Sequence, residues 1–546
     1  MGKLKKIISD KKNFKYFLFA ALFLLYFWGL GSYGLINIDE GRYSEIPREM
    51  LESGDFFTPT LNYVLYFEKP PLHYWQTALA FATLGYNEFA ARFWPCLLGL
   101  LGVFMTWLLA RRMYDEDTAN LSAFILGTGA LYFAISRINI IDMTVSFYIT
   151  LSLVSFYLYF KDNKKLWLYV FYAALALGTL SKGLIGIVLP AGVIFWFMIF
   201  TRRWDILKKL FLSPAILTFF IISVPPFYLM CKKNPDFFYF FFIQEHFLRY
   251  ATTLHDRYEP FWFFIPVFIG GVMVWTPFIF TSLKNWFCRK ENNIFLSLWV
   301  FVILLFFSAS SSKLAPYIIP CFPPTAIILA RNIFDLKENG GKKIICLWLF
   351  YCLFAAALLA AVLLIYFNLL PSKTLNDISP YKPVVLSLCA ICCLFAAASG
   401  RALKKTKLLL TYLCAFAFLF ALFAKPAFKT ISQMRSSKYL LQSMPCLAEN
   451  DEIVLAGKFF QDIPFYTKRR VKLVNSVGEL EFGKNKAHDA DVWFLDNDGL
   501  ERLIESPSRE GQGKTYFIFR NPNDFKFKDK TNFIVKTGRL SVYAKK

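Results

Sequence analysis

No internal repeat with a period of twenty to fifty residues and no low-complexity linker divides this sequence, which sets aside solenoids and linked arrays of small domains. A disulfide framework is also missing. The 11 cysteines lie mostly inside apolar runs. The stretch "CAICC" (Cys389, Cys392, Cys393) falls in a helical pattern without charged company, which reads as small buried side chains rather than a metal site. No small-x-small cleavage site follows the first apolar run, so its basic flank ("KLKK", "KKNFK") marks an uncleaved anchor rather than a secretory leader. Acid is scarce: 38 aspartates and glutamates against 61 lysines and arginines leave a net charge of +23. Such a balance would suit nucleic acid, but the basic pairs fall between apolar spans, as at Arg111/Arg112, Lys164/Lys165, Arg202/Arg203, Arg289/Lys290, Lys342/Lys343 and Lys404/Lys405. Every second connection is basic, as in the cytoplasmic loops of a membrane protein, with some attraction to anionic lipid; no nucleic-acid partner is expected.

What is abundant is apolar surface. Hydrophobic residues make up 56% of the 546, aromatics 19%, and phenylalanine alone occurs 63 times. A dispersed soluble protein has no way to hide that much aromatic surface. Apolar runs long enough to cross roughly 30 Å of hydrocarbon recur along the chain. They cover 14–35, 88–110, 118–136, 140–160, 165–181, 183–200, 209–230, 261–283, 294–310, 314–331, 343–369, 381–400 and 406–424. This predicts a mainly α, polytopic membrane protein with about thirteen transmembrane helices. With the N-terminus cytoplasmic, an odd count puts everything after the last span on the outer face.

At Lys425 the composition changes. Short strand-like runs ("EIVLAG", "VKLVN", "DVWFLD", "TYFIF") alternate with helix-like pieces such as "GLERLIES". Residues 1–424 therefore read as a transmembrane domain and 425–546 as a soluble α/β domain outside it. Two outward connections are long, from Asn37 to about Asn87 and from Cys231 to Pro260, and long loops in a packed protein tend to be functional. In the first, "IPREMLESG" predicts a short interfacial helix, with Pro47 in its first turn and Gly54 at its stop. Ile46, Met50 and Leu51 would share the buried face, leaving Glu45, Arg48, Glu49 and Glu52 on the polar one.

The remaining ionisable residues near apolar segments collect on one side: Asp39, Glu40 and Arg42 after the first span, Glu68 and Lys69 in "EKPP", and Arg137 and Asp142 in "SRINIIDM". Lys182 in "LSKGL", Glu245, His246 and Arg249 in "QEHFLRY", His255, Asp256 and Arg257 in "HDRYEPFW", and Lys313 and Tyr317 in "SSSKLAPYIIP" complete the set. Charges at the edge of hydrocarbon are costly unless paired or functional. Each has a plain rival reading. The first three would serve as an interfacial ion cluster, Glu68–Lys69 as a solvated pair, Arg137–Asp142 as a pin between helices, and Lys182 and Lys313 as snorkelling anchors. Together they offer carboxylates beside an excess of cations, the equipment for holding a phosphate and acting on what is attached to it.

The blocks "DEGRYSEIPREMLESGDFFTPTLNYVLYFEKPPLHYW", "SRINIIDM", "LSKGLIGIVLP", "QEHFLRY" and "SSSKLAPYIIP" resemble the 4-amino-4-deoxy-L-arabinose transferases of lipid A, bacterial relatives of the protein O-mannosyltransferases among the GT-C glycosyltransferases. The resemblance runs over roughly residues 10–430. It implies a multi-pass inner-membrane enzyme that takes a sugar from undecaprenyl phosphate on the periplasmic side and gives it to lipid A or another envelope acceptor. By the same resemblance, Asp39 matches the carboxylate regarded as catalytic and Asp142 a second cavity carboxylate. Lys69 matches a contact to the donor phosphate, with Arg249 and Tyr317 as further ones; Arg42, Arg137, Lys182 and Lys313 join them as substrate-binding candidates. Glu68 and His246 match positions able to hold a divalent metal ion; no nucleotide or organic cofactor is expected. A polyprenyl-linked transferase with a protein or glycan acceptor stays open, as do a lipid or sugar transporter and an envelope scaffold. Transporters, however, place their charges near the midplane and often show two related halves, and neither is visible here.

Overall fold

The computed structural model describes residues 11–248, 259–339, 341–369, 371, 378–401, 406–507, 513–520, 528–537 and 540–546. Among the described residues, eight helices are long and apolar enough to cross a membrane: Glu88–Met113, Ile141–Asp162, Ile216–Lys233, Glu291–Ala309, Ala315–Leu336, Ile344–Tyr366, Ser379–Gly400 and Leu408–Arg435. Shorter apolar helices at Asn13–Phe27, Ile185–Thr201 and Phe261–Trp275 take three more of the expected spans. The other two are Lys165–Lys182 and the pair Glu116–Thr128 and Ala130–Ile135, interrupted at Gly129. Burial sorts them. The apolar windows of Ile141–Asp162 and Ala315–Leu336 are 83% buried and form the centre, whereas Ile216–Lys233 (11%) and Ile344–Tyr366 (17%) face outward. The cysteines of "CAICC" are free thiols on the Lys382–Gly400 helix.

The first span is shorter than its apolar run. Its helix, Lys11–Phe27, stops eight residues before the run does, and Gly29 turns the chain at φ 72°. The last carbonyls of a helix are orphans that apolar surroundings cannot satisfy. Arg137 satisfies them, donating to the carbonyls of Leu25 (3.3 Å), Tyr26 and Trp28 (3.2 Å). Arg92 takes the next turn, donating to the carbonyls of Leu30 (2.9 Å), Tyr33 (2.8 Å) and Gly34 (2.9 Å).

The interfacial helix is longer than expected, Asp39–Ser53, and ends at Gly54 as anticipated, with φ 71° there. Pro47 lies inside it rather than in its first turn. Proline lacks the N–H that would bond the carbonyl four residues back. That carbonyl, of Tyr43, instead accepts from Asn139 Nδ2 at 3.1 Å. The expected wet face is also buried: Glu45, Arg48 and Glu49 are 0%, 4% and 1% exposed. A hairpin covers it, formed by β1 (Thr60–Leu61) and β2 (Val64–Leu65). Glu49 accepts from Thr60 Oγ1 at 2.5 Å and from the Tyr63 amide at 3.2 Å, while Arg48 is held by Glu45 and Glu52. Ile46 and Met50 are buried as expected.

After Pro426–Arg435 the chain builds a six-stranded sheet. Its strands are β3 (Glu452–Ala456), β4 (Lys472–Val474), β5 (Phe494–Leu495), β6 (Thr515–Phe519), β7 (Thr531–Thr537) and β8 (Leu540–Lys545), in the order β5-β4-β3-β6-β8-β7. The first four pair in parallel, and β8 and β7 close the edge antiparallel. The four strand-like runs named above contain β3 to β6, although in "DVWFLD" only Phe494–Leu495 is strand and the residues before it end the short helix Ala490–Trp493; "GLERLIES" falls largely on the helix Asn497–Glu505.

The sheet domain is seated on the first long loop. Asn62 exchanges hydrogen bonds of 2.9 Å with the amide and carbonyl of Val471, as a neighbouring strand would. Gly483 lies under the hairpin, where a Cβ would stand 2.3 Å from the Leu65 carbonyl oxygen. Gly41 does the same for the long helix, since a Cβ there would meet the Asp462 amide nitrogen at 2.5 Å. Asp462 is fully buried and accepts from Asn37 Nδ2, the Ser437 amide (2.7 Å) and Ser436 Oγ (3.2 Å).

Candidate active site

Seven of the one-sided candidates line a single cavity of about 180 Å³: Asp39, Arg42, Glu68, Lys69, Asp142, Lys182 and Tyr317, with Tyr43 and Glu479. Five parts of the chain bring those seven side chains together. The helix Asp39–Ser53 presents Asp39 and Arg42 from its first turn, and the loop after β2 brings Glu68 and Lys69. Asp142 lies in the first turn of Ile141–Asp162, Lys182 ends Lys165–Lys182, and Tyr317 belongs to the 3₁₀ turn Ala315–Cys321.

Glu40 fixes the first of these. Its carboxylate accepts four hydrogen bonds: from Arg92 Nε and Nη2 (both 2.7 Å), the Ile36 amide (2.7 Å) and the Asn139 amide (2.8 Å). An anion at a helix N-terminus also opposes the positive end of the helix dipole. Asp39, one residue earlier, is thereby turned away from this buried knot, and its side chain is 54% exposed beside the cavity.

Arg42 is the hub of the site. It is almost wholly buried and pairs with Asp39 on its own helix and with Glu479 from the sheet domain. It also donates to Tyr66 Oη at 2.7 Å. Burial works against its charge, but Tyr66, Glu479, Tyr43 and Asp39 outweigh that and hold its pKa well above the ordinary value. Asp142 and Lys182 pair at 2.5 Å, and the ammonium of Lys182 lies 4.4 Å from the centre of the Tyr317 ring. Lys69 Nζ donates to the Glu68 carbonyl at 2.8 Å and lies 3.7 Å from its carboxylate. The arrangement is a pocket of cations and carboxylates whose remaining wall is mostly apolar, from Ile141, Ile185, Phe241, Phe306, Phe307 and Leu314, with Ser310 and Ser312 beside them. Such a pocket can bind a phosphate while keeping water scarce around it.

Two candidates are placed elsewhere. Arg137 is 1% exposed and spends its donors on the end of the first helix, so its cost in an apolar setting is met by carbonyls rather than by a ligand. Lys313 folds back onto its own loop, donating to the carbonyls of Ser310 (2.6 Å) and Glu259 (2.9 Å). Arg249 lies outside the described residues, as do His255, Asp256 and Arg257. Of Glu245 and His246 only the backbone is described, in the π-helical turn Tyr239–Leu248. Among the described residues no three side chains of the metal-ligating kinds converge, and the cavity carboxylates stand beside cations of the chain itself. Of the two candidate metal ligands, Glu68 lines the cavity and the side chain of His246 lies outside the described residues.

Glu479 was not legible in the sequence, because nothing in the sheet domain signals that it reaches the membrane domain. Tyr66 was in view within "YFEKPPLHYW" but carried no charge to single it out.

Residues 13–240 match the family described as dolichyl-phosphate-mannose-protein mannosyltransferase. An undecaprenyl phosphate-alpha-4-amino-4-deoxy-L-arabinose arabinosyl transferase of Proteus mirabilis is 34% identical over 349 residues, 62% of this chain and 62% of its own length. The enzyme of the same description from Erwinia tasmaniensis is 29% identical over 523 residues, covering 91% of this chain and 93% of its own. Among solved structures, ArnT from Cupriavidus metallidurans bound to undecaprenyl phosphate superimposes with a TM-score of 0.84 at 25% identity, covering 97% of this chain and 98% of that one. The likeness therefore includes the sheet domain as well as the helices. The chain is thus similar along nearly its whole length to an aminoarabinose transferase and shares the fold of a solved one.

Proposed function

We propose that this protein moves 4-amino-4-deoxy-L-arabinose from undecaprenyl phosphate to a phosphate of lipid A, at the periplasmic face of a bacterial inner membrane. In this reading residues 1–424 form the membrane domain with a cytoplasmic N-terminus, and 425–546 form a periplasmic domain. The observation that carries it is the convergence of Asp39, Arg42, Lys69, Asp142, Lys182 and Tyr317 on one cavity, in a chain matched along nearly its whole length by aminoarabinose transferases.

The reaction is a substitution at the anomeric carbon of the sugar. An oxygen of the acceptor phosphate forms the new bond while the bond to the carrier phosphate breaks, and its electron pair leaves on undecaprenyl phosphate. Negative charge thus grows on the carrier phosphate. Lys69, and Arg249 by resemblance, are assigned to meet it, and one well-placed donor of this kind is worth about 2.7–4 kcal/mol. Lys182 and Tyr317 line the same pocket. A phosphate acceptor is already an anion at neutral pH, so Asp39 need not remove a proton. Its half-exposed carboxylate is suited instead to the positive charge that develops on the sugar ring as the carrier departs. Arg42 holds Asp39 in position, and no step is routed through a metal ion.

The test is mass spectrometry of lipid A from cells with and without the gene. The expected product is lipid A carrying the added aminosugar; identical lipid A in both strains would overturn the reading, and a new glycan or protein modification would transfer it to another acceptor.

A further inference from the structure

A cleft of about 70 Å³ lies where four membrane helices end, and it shares no lining residue with the active-site cavity. It is framed by the end of Ala315–Leu336 (Ile333), the start of Ile344–Tyr366 (Leu347, Trp348, Tyr351), the end of Ser379–Gly400 (Ser399) and the start of Leu408–Arg435 (Leu413). Ends and starts alternate, so the four helix termini share one side of the membrane. The basic connections between them make it the cytoplasmic side.

The lining holds three polar side chains, and each is already spent within the protein. Trp348 Nε1 donates to the Ala396 carbonyl at 3.0 Å, Ser399 Oγ to the same carbonyl at 3.2 Å, and Tyr351 Oη to the Val274 carbonyl at 2.7 Å. Every other lining residue is apolar. Nothing is left to hold a sugar, a phosphate or a water, and a cavity of this kind stays dry and takes hydrocarbon. One water-sized occupant needs about 10–15 Å³, so the cleft has room for a short length of acyl chain. Hydrocarbon is also what borders it: the apolar windows of Ile344–Tyr366, Ser379–Gly400 and Leu408–Arg435 are only 17%, 33% and 28% buried.

The rim of the cleft is cationic. Lys284 follows the lining residue Phe278 on the chain, and Arg401 follows the lining residue Ser399; both are exposed, and among the described residues neither meets a carboxylate. Arg331, on the helix that ends here, is by contrast paired with Asp115 and Asp335. In sequence, the connections 337–343 and 401–407 add six lysines against one glutamate. Cations without partners beside an apolar cleft complement a molecule with a negative head and a hydrocarbon tail.

We propose that this cleft binds an anionic phospholipid of the cytoplasmic leaflet, with an acyl chain between Leu347, Trp348 and Leu413 and the head group on Lys284 and Arg401. The bound lipid ties the last three membrane helices, which lead into the sheet domain, to the helix Ala315–Leu336. The proposal uses the topology given above and is independent of which sugar is moved.

The experiment offers the purified full-length protein in detergent equal amounts of phosphatidylglycerol and phosphatidylcholine with the same acyl chains, and reads the retained lipid by native mass spectrometry. The wild type is expected to retain phosphatidylglycerol about ten-fold over phosphatidylcholine. L413W, which fills the cleft, should lose most of the retained phosphatidylglycerol, and K284Q/R401Q should bring the two lipids within about two-fold of each other. Equal retention of both lipids by the wild type overturns the proposal, as does unchanged retention in both variants. Where a variant fails to fold, the wild type in nanodiscs is photo-crosslinked to phosphatidylglycerol carrying a diazirine on its acyl chain. Label is then expected on peptides spanning Ile344–Tyr351 and Leu409–Leu413. Label spread evenly over the outward helices overturns the proposal, and so does displacement of that label by undecaprenyl phosphate, which would assign the cleft to the carrier's tail.

Discussion

Arg92 and Glu40 meet side by side with neither side chain exposed, two guanidinium nitrogens lying 2.7 Å from the two carboxylate oxygens. The guanidinium also rests 3.8 Å from the centre of the Tyr33 ring. This pair joins the unwound end of the first helix to the start of the helix that carries Asp39. Removing one partner strands a buried charge, which typically costs about 3–5 kcal/mol. Arg92→Ala and Glu40→Ala are each expected to lower yield and thermal stability sharply. Arg92→Lys should fail almost as badly, because an ammonium cannot serve a carboxylate and three carbonyls together. Thermal unfolding in detergent checks all three.

Asp39→Asn and Lys69→Ala should each abolish transfer while membrane insertion and folding stay intact. For Lys69→Ala the expected loss in kcat is about a hundred-fold or more. Normal turnover in both variants would mean that the donor cavity is wrongly assigned.

Glu479 is joined to the site through Arg42 and Tyr66. Glu479→Gln keeps the shape but removes the charge that helps to hold Arg42, and a drop in kcat of about ten-fold is expected. The donor KM should change little. Equal losses in Glu479→Gln and Arg42→Lys, with no further loss on combining them, would identify the two as one unit.

The contact at Gly41 gives a steric test. A Cβ would stand 2.5 Å from the backbone of Asp462, and inserting carbon into a packed contact costs about 1–3 kcal/mol. Gly41→Val should loosen the sheet domain and speed its cleavage by trypsin, with the transmembrane helices still protected.

Stability should also depend on pH through Asp462. Burial, only partly offset by its hydrogen bonds, raises its pKa from 3.8 to about 6. A carboxyl group raised on folding favours the folded state while it is protonated. Its contribution is therefore full below about 3.8 and is lost as the pH rises through about 6. The melting temperature should fall between pH 5 and pH 7.5 by more in the wild type than in Asp462→Asn.

Much of the site was legible because charge at the edge of hydrocarbon is costly and therefore conspicuous. Asp39, Lys69, Asp142 and Lys182 could be sorted to one side from the alternation of basic loops alone. The same logic misplaced Arg137, since a buried guanidinium can be satisfied by the carbonyls of a helix end, and no local pattern announces that a helix will end early. The long helix was read too short for a similar reason. Pro47 looked like a first turn because the side chain that rescues its interior position, Asn139, comes from a distant segment. Glu45, Arg48 and Glu49 passed for a wet face because the hairpin that covers them is only two residues deep on each strand. The strands β3 to β6 stood out by their apolar runs, but the docking that brings Glu479 to Arg42 is written in surface fit, at Gly41 and Gly483, where a missing side chain leaves no periodic signal.

The bond between Arg42 and Glu479 joins residues more than four hundred positions apart in the sequence. A ribosome releasing this chain has finished all of the described membrane-crossing helices before that partner appears. The donor pocket is therefore left without one wall until synthesis is nearly complete. A chain cut short after its last membrane helix would be inserted but unfinished, holding Asp39 through Arg42 with no sheet domain behind the pair.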